Sequence, residues 1–283
     1  MTEEFAPGIA RELLPGVRRL VAPNPGMMTG PGTNTYLVGV REIAVIDPGP
    51  AIGAHLDAIE EQAGGDIRWI LATHTHPDHS PAATPLAERT GAMQMGRPAP
   101  AGKVQDKTFT PDRVLEDGDL LETGEFTLQA VHTPGHASNH VCFRHETHRM
   151  LFTGDHIMSG STVVIDPPDG DMKQYLESLQ RLKSLNLESL APGHGPVIEA
   201  PDEMVDWLIS HRLGRETKVI SMLEANPDLT LEALTPHVYD EVDSKLHGLA
   251  SRSLLAHLLK LEVEGRAVRN NDRWSLQRQT HRA

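Results

Sequence analysis

Thr73-His74-Thr75-His76-Pro77-Asp78-His79-Ser80 places three imidazoles and a carboxylate within six residues, directly after the apolar run Trp69-Ile70-Leu71-Ala72. That run is short and continuously apolar, which predicts a buried strand of a parallel sheet rather than a helix. His74 and His76 are two apart, so in extended backbone they point to one side and are placed to grip one ion. Asp78 and His79 follow as the chain leaves the strand. Ser80 and Pro81 read as an N-cap and first residue of a helix running towards Glu88 and stopped by Gly91. The polar cluster thus sits at a strand's carboxyl end, where open α/β sheets place their ligands. A histidine-rich surface loop is the bland alternative in a chain with sixteen His. A structural zinc site leans on Cys and closes with four ligands, whereas this chain has a single Cys, so a catalytic metal is expected.

Composition bounds what surrounds this cluster. With 283 residues, the chain is long enough for one large or two modest domains. A net charge of −13 argues against general electrostatic capture of nucleic acid or anionic membrane. No run of eighteen apolar residues occurs, and the acidic start lacks an apolar segment, so neither a transmembrane helix nor a secretory signal is expected. Cys142 has no partner for an internal disulfide and suits a reducing cytoplasm; its setting, Val141-Cys142-Phe143, reads as a buried strand.

Outward from the first cluster, the pattern of a strand ending in a ligand recurs. Thr35–Val38 and Ile43–Ile46 read as paired strands, and Asp47-Pro48-Gly49 ends the second. Asp47 there either initiates a turn or orients metal ligands from behind. Ala51 to Ala63 reads as an amphipathic helix closed by Gly64-Gly65; Pro23 to Gly32 and Met93 to Gly102 read as loops. Phe126–Val131 runs into His132-Thr133-Pro134-Gly135-His136, where spacing does not separate His132 from His136 as a ligand. His140 either supports a ligand from behind or is structural. Met150–Thr153 runs into Gly154-Asp155-His156. Ser159-Gly160-Ser161-Thr162 is a plain polar turn or a hydroxyl-rich wall that brings Ser161 and Thr162 to substrate. Lys173 to Ser184 has helical spacing, and Leu190-Ala191-Pro192 gives way to Gly193-His194-Gly195, glycines that permit close backbone approach. His74, His76, Asp78, His79, His136, Asp155 and His194 are too many ligands for one tetrahedral ion. Two ions sharing a bridging carboxylate would use them all, and imidazole mixed with carboxylate points to Zn, with Mn or Fe as alternatives. A water between two such ions loses a proton near neutral pH and becomes a nucleophile.

The order of these motifs resembles the metallo-β-lactamase superfamily: T-H-x-H-x-D-H at Thr73–His79, T-P-G-H at Thr133–His136, T-G-D at Thr153–Asp155 and P-G-H-G at Pro192–Gly195. The resemblance covers about residues 30–200. It implies an αββα sandwich with a dinuclear site on one edge, one metal on His74, His76 and His136, the other on Asp78, His79 and His194, and Asp155 bridging. It favours an orienting role for Asp47 and leaves His132 structural. Ser80-Pro81-Ala82-Ala83 departs from the S-G-G that many members carry here, which alters helix entry and not the ligands.

The remainder extends the likeness. Glu203–Leu223 reads as one or two helices, Leu229–Tyr239 as another and Ser244–Glu264 as a third, whose apolar face includes Leu246, Leu249, Leu254, Leu258 and Leu261. Ala267-Val268-Arg269 and Arg273–Leu276, split by Asn270-Asn271-Asp272, give a hairpin. Three helices and a hairpin resemble a winged helix, and the whole resembles the β-lactamase-like endoribonuclease subgroup that carries one. The expected division is a catalytic domain over 1–209 and a winged-helix-like domain over 210–283. From residue 211 onward eleven Lys and Arg stand against ten Asp and Glu. That near-neutrality argues for packing or homodimerisation over sequence-specific nucleic-acid binding.

The expectation is therefore a cytoplasmic dinuclear zinc hydrolase in which a metal-bridging hydroxide attacks an ester, thioester or phosphodiester. Asp78 orients the nucleophile or accepts its proton, and Asp155 holds both ions. The substrate is a small ester or thioester, or single-stranded RNA as in the endoribonuclease subgroup. The glyoxalase II branch lacks its basic glutathione segment here, and the short Asp155–His194 spacing excludes the branch with a large inserted cap. True β-lactamases are typically exported. A nucleic-acid-binding regulator acting through the winged helix and a mononuclear iron oxygenase are the alternatives.

Overall fold

The computed structural model describes residues 3–101 and 105–277. Two sheets lie face to face, each covered on its outer side by helices. The first contains β1 (Arg11–Leu14), β2 (Val17–Val21), β3 (Asn34–Val38), β4 (Glu42–Ile46), β5 (Asp66–Leu71), β6 (Met93–Gly96) and β7 (Arg113–Val114), in that spatial order. β1 to β4 pair antiparallel, and β4 to β7 pair parallel. Helices α1 (Gly53–Ala63) and α2 (Ala83–Thr90) make the β4–β5 and β5–β6 crossovers that parallel neighbours require. The second sheet contains β8 (Leu120–Glu122), β9 (Thr127–His132), β10 (Val141–His145), β11 (Met150–Gly154) and β12 (Ser189–Pro192), with α3 (Met172–Leu182) as the crossover into β12.

Burial explains the four layers. Strand residues alternate faces, so Tyr36, Val38, Ala44 and Ile46 meet Phe143, Phe152 and Ala191 in a core between the sheets. The opposite faces, Leu37, Ile43, Val45 and Ile70, pack under Leu56, Ile59 and Leu86 of α1 and α2. Cys142, Leu151 and Leu190 pack under Tyr175 and Leu179 of α3. The αββα sandwich is as expected, and burial pushes the Cys142 thiol up to about 12, consistent with an inert core residue.

The chain continues into α4 (Pro201–Ala225), β13 (Leu229–Thr230), α5 (Leu231–Val238), α6 (His247–Val263), β14 (Ala267–Asn270) and β15 (Arg273–Leu276), the last two forming the hairpin. Leu223, Leu234, Leu254, Leu258, Leu261 and Trp274 make its separate core. α4 is one unbroken helix across residues 209 and 210 and contributes to both cores: Val205 and Leu208 pack with Ala256 of α6 in the α3 core, Val219 and Leu223 in the other.

Two local expectations are corrected. Met93–Gly102 is not simply a loop: Met93–Gly96 forms β6, because its parallel pairing with β5 supplies the hydrogen bonds that its Gly- and Pro-rich surroundings obscured; Gly102 lies outside the described residues. Ser80 is not an N-cap. Its hydroxyl donates to Asp106 Oδ2 at 2.6 Å, and α2 begins three residues later, after an uncapped Ala82.

Candidate metal centre

All the ligand-bearing motifs meet at one edge of the sandwich, in the segments after β5, β9, β11 and β12. β5 ends at Leu71, so His74 and His76 converge from the following loop, not from a strand. A hydrogen bond from the Val141 amide to the Thr73 carbonyl (2.7 Å) and one from the Asn34 amide to the Gly193 carbonyl (2.8 Å) tie the first and fourth segments across the two sheets. The Pro192 carbonyl also accepts from Tyr36 Oη at 2.7 Å and from Asn34 Nδ2 at 2.8 Å.

The donor atoms fall into two clusters. His74, His76 and His136 form one; Asp78, His79, Asp155 and His194 form the other, the atoms of each lying within 4.8 Å of one another. His76 Nδ1 is 3.0 Å from both His74 Nε2 and His136 Nε2. His194 Nε2 is 3.2 Å from Asp78 Oδ2 and 3.4 Å from Asp155 Oδ1, and His79 Nε2 is 3.4 Å from that same oxygen. The other Asp155 oxygen is 3.7 Å from His136 Nε2, so this carboxylate presents one oxygen to each cluster.

The partners behind the rings fix which nitrogen carries the proton. The Thr73 hydroxyl donates to Asp47 Oδ2 (2.8 Å), so it accepts from His74 Nδ1 (3.0 Å) and leaves Nε2 as a bare lone pair. His79 Nδ1 donates to Asp47 Oδ2 at 2.9 Å, His136 Nδ1 to the Val164 carbonyl at 2.7 Å and His194 Nδ1 to the Gly32 carbonyl at 3.2 Å. In its neutral form each of those rings therefore turns the Nε2 lone pair inward, where a bound cation would take the place of a proton. His79 Nε2, His194 Nε2 and Asp155 Oδ1 are buried without hydrogen-bond partners. A buried acceptor set of this kind fits divalent cations of the zinc, manganese or iron type.

Electrostatics follow from the same crowding. Burial, added to by the neighbouring imidazoles, pushes His74 well below the usual histidine range and His76 down to about 3. Burial also opposes charge on His79, but Asp78, Asp155 and Asp47 outweigh it and hold that ring well above its usual value. Burial would raise Asp155; His194 and His79 overcome it and hold the carboxyl well below the ordinary range.

Asp47 occupies the left-handed region at φ 50°, a conformation that non-glycine residues hold only under constraint. Its carboxylate takes up the Thr73 amide, the Thr73 hydroxyl and His79. His140 stands behind His74, ring centroids 5.0 Å apart, with Nδ1 2.9 Å from Thr133 Oγ1. His132 turns away, its Nε2 3.1 Å from the Ser138 carbonyl. Close approach decides one glycine: a Cβ at Gly193 would stand 2.7 Å from the His79 ring and 2.9 Å from Asp155 Oδ1.

A cavity of about 540 Å³ opens over both clusters and is lined by His76, Asp78, His136 and Asp155 together with Ser161 and Thr162. Val164, whose carbonyl orients His136, carries no signal of its own in the sequence, whereas Thr73, which orients His74, heads the first motif. Met27, Met28, Leu246, Leu249 and Arg252 also line the cavity; the three from α6 and the turn before it looked like core or surface positions from their spacing alone.

Comparison with known proteins agrees with this geometry. Residues 28–194 match the model of the metallo-beta-lactamase superfamily, and residues 230–274 that of the beta-lactamase associated winged helix domain. A beta-lactamase-like protein 2 homolog of Caenorhabditis elegans is 33% identical, over 90% of this chain and 86% of its own. An atrochrysone carboxyl ACP thioesterase of Aspergillus novofumigatus is 29% identical, over 91% of this chain and 81% of its own. The crystal structure of a metallo-beta-lactamase family protein from Thermus thermophilus superposes with a TM-score of 0.79 at 24% identity, over 94% of this chain and all of that one, a likeness of fold.

Proposed function

Because this chain belongs to the metallo-β-lactamase superfamily and is a hydrolase, we propose that it is a dinuclear metal-dependent hydrolase of small-molecule esters or thioesters. The observation that carries the reading is the Asp155 carboxylate, which offers Oδ1 to the Asp78, His79 and His194 cluster and Oδ2 towards the His74, His76 and His136 cluster. Two zinc ions, or manganese or iron in their place, would supply Lewis acidity there, acidifying water and polarising the scissile carbonyl.

The chain's own residues supply the rest. Asp78 lines the cavity and is held at its inner end by His194, which places it to accept the proton of an entering water. The water oxygen adds to the carbonyl carbon, the C–S or C–O bond breaks, and the proton returns to the departing thiolate or alkoxide. Ser161 and Thr162 line the cavity, and their hydroxyls would be offered to the substrate. The carbonyls of Val164 and Gly32 and the carboxylate of Asp47 keep the imidazoles from turning. Among the described residues no helix is long and apolar enough to cross a membrane. A catalytic unit over 1–209 and a winged-helix-like unit over 210–283 remain a sensible division, with α4 shared between them.

A thioester in place of RNA is favoured by the lining outside the ligand clusters, which among the described residues holds Asp166 and Asp169 against one arginine, Arg252. A phosphodiester chain would meet more negative than positive side chains on entry. The test is hydrolysis of acyl thioesters and of end-labelled single-stranded RNA by zinc- or manganese-loaded protein, beside Asp78→Ala. Thioester cleavage by the wild type alone is expected. RNA cleavage that Asp78→Ala abolishes, without thioester turnover, would replace this substrate assignment.

A further inference from the structure

The apolar series expected along the third helix of the C-terminal unit splits in two. Leu254, Leu258 and Leu261 enter that unit's own core, whereas Leu246 and Leu249 line the cavity over the metal centre. Leu246 is 38% exposed, and Met27 and Met28 of the same lining are 82% and 51% exposed. Large apolar side chains left out of the core and gathered at one concave surface mark a binding site. Methionines additionally adapt to ligand shape. Among the described residues the one arginine of the lining, Arg252, sits a turn beyond Leu249 and pairs with Asp166 at 3.2 Å. That ion pair joins the two units at the rim and takes up the cation that would otherwise attract an anionic chain.

We infer that the entry to α6, through Leu246 and Leu249 together with Met27 and Met28, is the acyl-specificity wall of the catalytic pocket, and that the substrate's acyl group is an extended apolar chain. The inference rests on the ester or thioester reading above and adds the substrate class. The C-terminal unit then completes the active site rather than reading nucleic acid. Burying each added methylene against this wall contributes binding worth about a fourfold gain. Because the wall holds ground and transition state alike, the gain falls in KM more than in kcat.

The experiment uses the full-length, metal-loaded chain and a series of N-acetylcysteamine thioesters from acetyl to octanoyl, with wild type, Leu249→Asn, Leu249→Met and Met27→Gln. Met27 is so exposed that its variant tests the wall without risk to folding. In the wild type kcat/KM is expected to rise by about fourfold per methylene until the cavity is filled. Leu249→Asn and Met27→Gln flatten that rise, and Leu249→Met retains it. A flat series in the wild type, or a rise untouched in both polar variants, overturns the inference. A fluorescent fatty acid with no scissile bond separates this outcome from failure of the hydrolase reading. Binding that weakens in the polar variants upholds the apolar wall even if no thioester is cleaved, and absence of binding overturns it.

Discussion

The Asp47 carboxylate accepts His79 Nδ1 at 2.9 Å while its own backbone is held at φ 50°. A strained residue whose side chain ends on a ligand ring is placed to orient that ring. Asp47 also takes the Thr73 amide at 2.7 Å and the Thr73 hydroxyl at 2.8 Å, and Thr73 in turn faces His74. One carboxylate thus reaches both ligand clusters. Asp47→Ala leaves three buried donors without an acceptor and is expected to destabilise the chain by about 3 kcal/mol. It should weaken metal binding by about 10–100-fold. Thermal denaturation and metal titration measure the two effects; unchanged metal affinity would remove Asp47 from the centre.

Gly193 is expected to tolerate no side chain. A Cβ there comes within 2.7 Å of His79 and 2.9 Å of Asp155 Oδ1, both on the carboxylate-rich cluster. Since a displacement of about 1 Å in a catalytic group costs about 100-fold, Gly193→Ala should lower kcat on that order while the far-ultraviolet circular dichroism stays native. Full activity in this variant would mean that the loop relaxes without moving either ligand.

How far the sequence carried these assignments depended on whether the signal was local. The four motifs hold their ligands in consecutive residues at strand ends, so the converging side chains were legible before the geometry. Strand β6 was not, because Met93–Gly96 lacks a β-branched run and owes its conformation to parallel pairing with β5. Ser80 read as a cap because capping is local, whereas its actual partner, Asp106, is 26 residues away. Leu246 and Leu249 share spacing with true core leucines, and only the docking of α6 beside α3 turns them to the cavity. The Val164 carbonyl acts through backbone placement that residue type does not encode, whereas Thr73 acts through its hydroxyl.

Metal removal is expected to destabilise the chain as well as silence it. The inward-facing Nε2 atoms of His79 and His194 and Asp155 Oδ1 have no hydrogen-bond partner of their own, so a bound cation offsets their burial. Binding at a hundredfold excess over Kd contributes about 2.7 kcal/mol. Chelation should therefore lower Tm, and readdition of zinc should restore it. Asp155→Asn, which touches both clusters, should reduce the metal bound at saturation below that of the wild type by elemental analysis.

A pH effect is also expected at His55, which is not one of the ligands. Its Nε2 lies 3.0 Å from Thr35 Oγ1, the ring is 1% exposed, and burial pushes it down to about 4. The unfolded ring takes a proton near pH 6.5, so between about 6.5 and 4 the unfolded state binds more protons than the folded one. This contribution to stability is present above about pH 6.5 and is lost as pH falls towards 4. His55→Asn should make denaturant-derived stability less steep in that window, with wild type and variant compared at equal metal saturation. Parallel curves would show that His55 does not titrate on unfolding.

The winged-helix-like unit is expected to depend on Glu216, which is 4% exposed and joins α4 to α6 and the hairpin. Its carboxylate meets Lys260 at 2.7 Å and Arg266 at 3.0 Å, with His257 Nδ1 3.8 Å away. Burial opposes its charge, but His257 and Lys260 outweigh that and hold the carboxyl down at about 2. Glu216→Ala leaves the ammonium of Lys260, itself only 9% exposed, with Glu264 Oε1 at 2.9 Å as its remaining carboxylate. Leaving a buried charge wholly unpaired costs about 3 kcal/mol, and the loss here is smaller because Glu264 still pairs with Lys260 and the half-exposed Arg266 adds little. Because Ala256 of the same helix packs into the α3 core, loosening α6 should also disturb the cavity wall. Hydrogen exchange is expected to rise in α6 and the hairpin of the variant, with the sandwich strands β9–β11 unchanged. Equal protection of α6 in both proteins would show that apolar packing alone holds it.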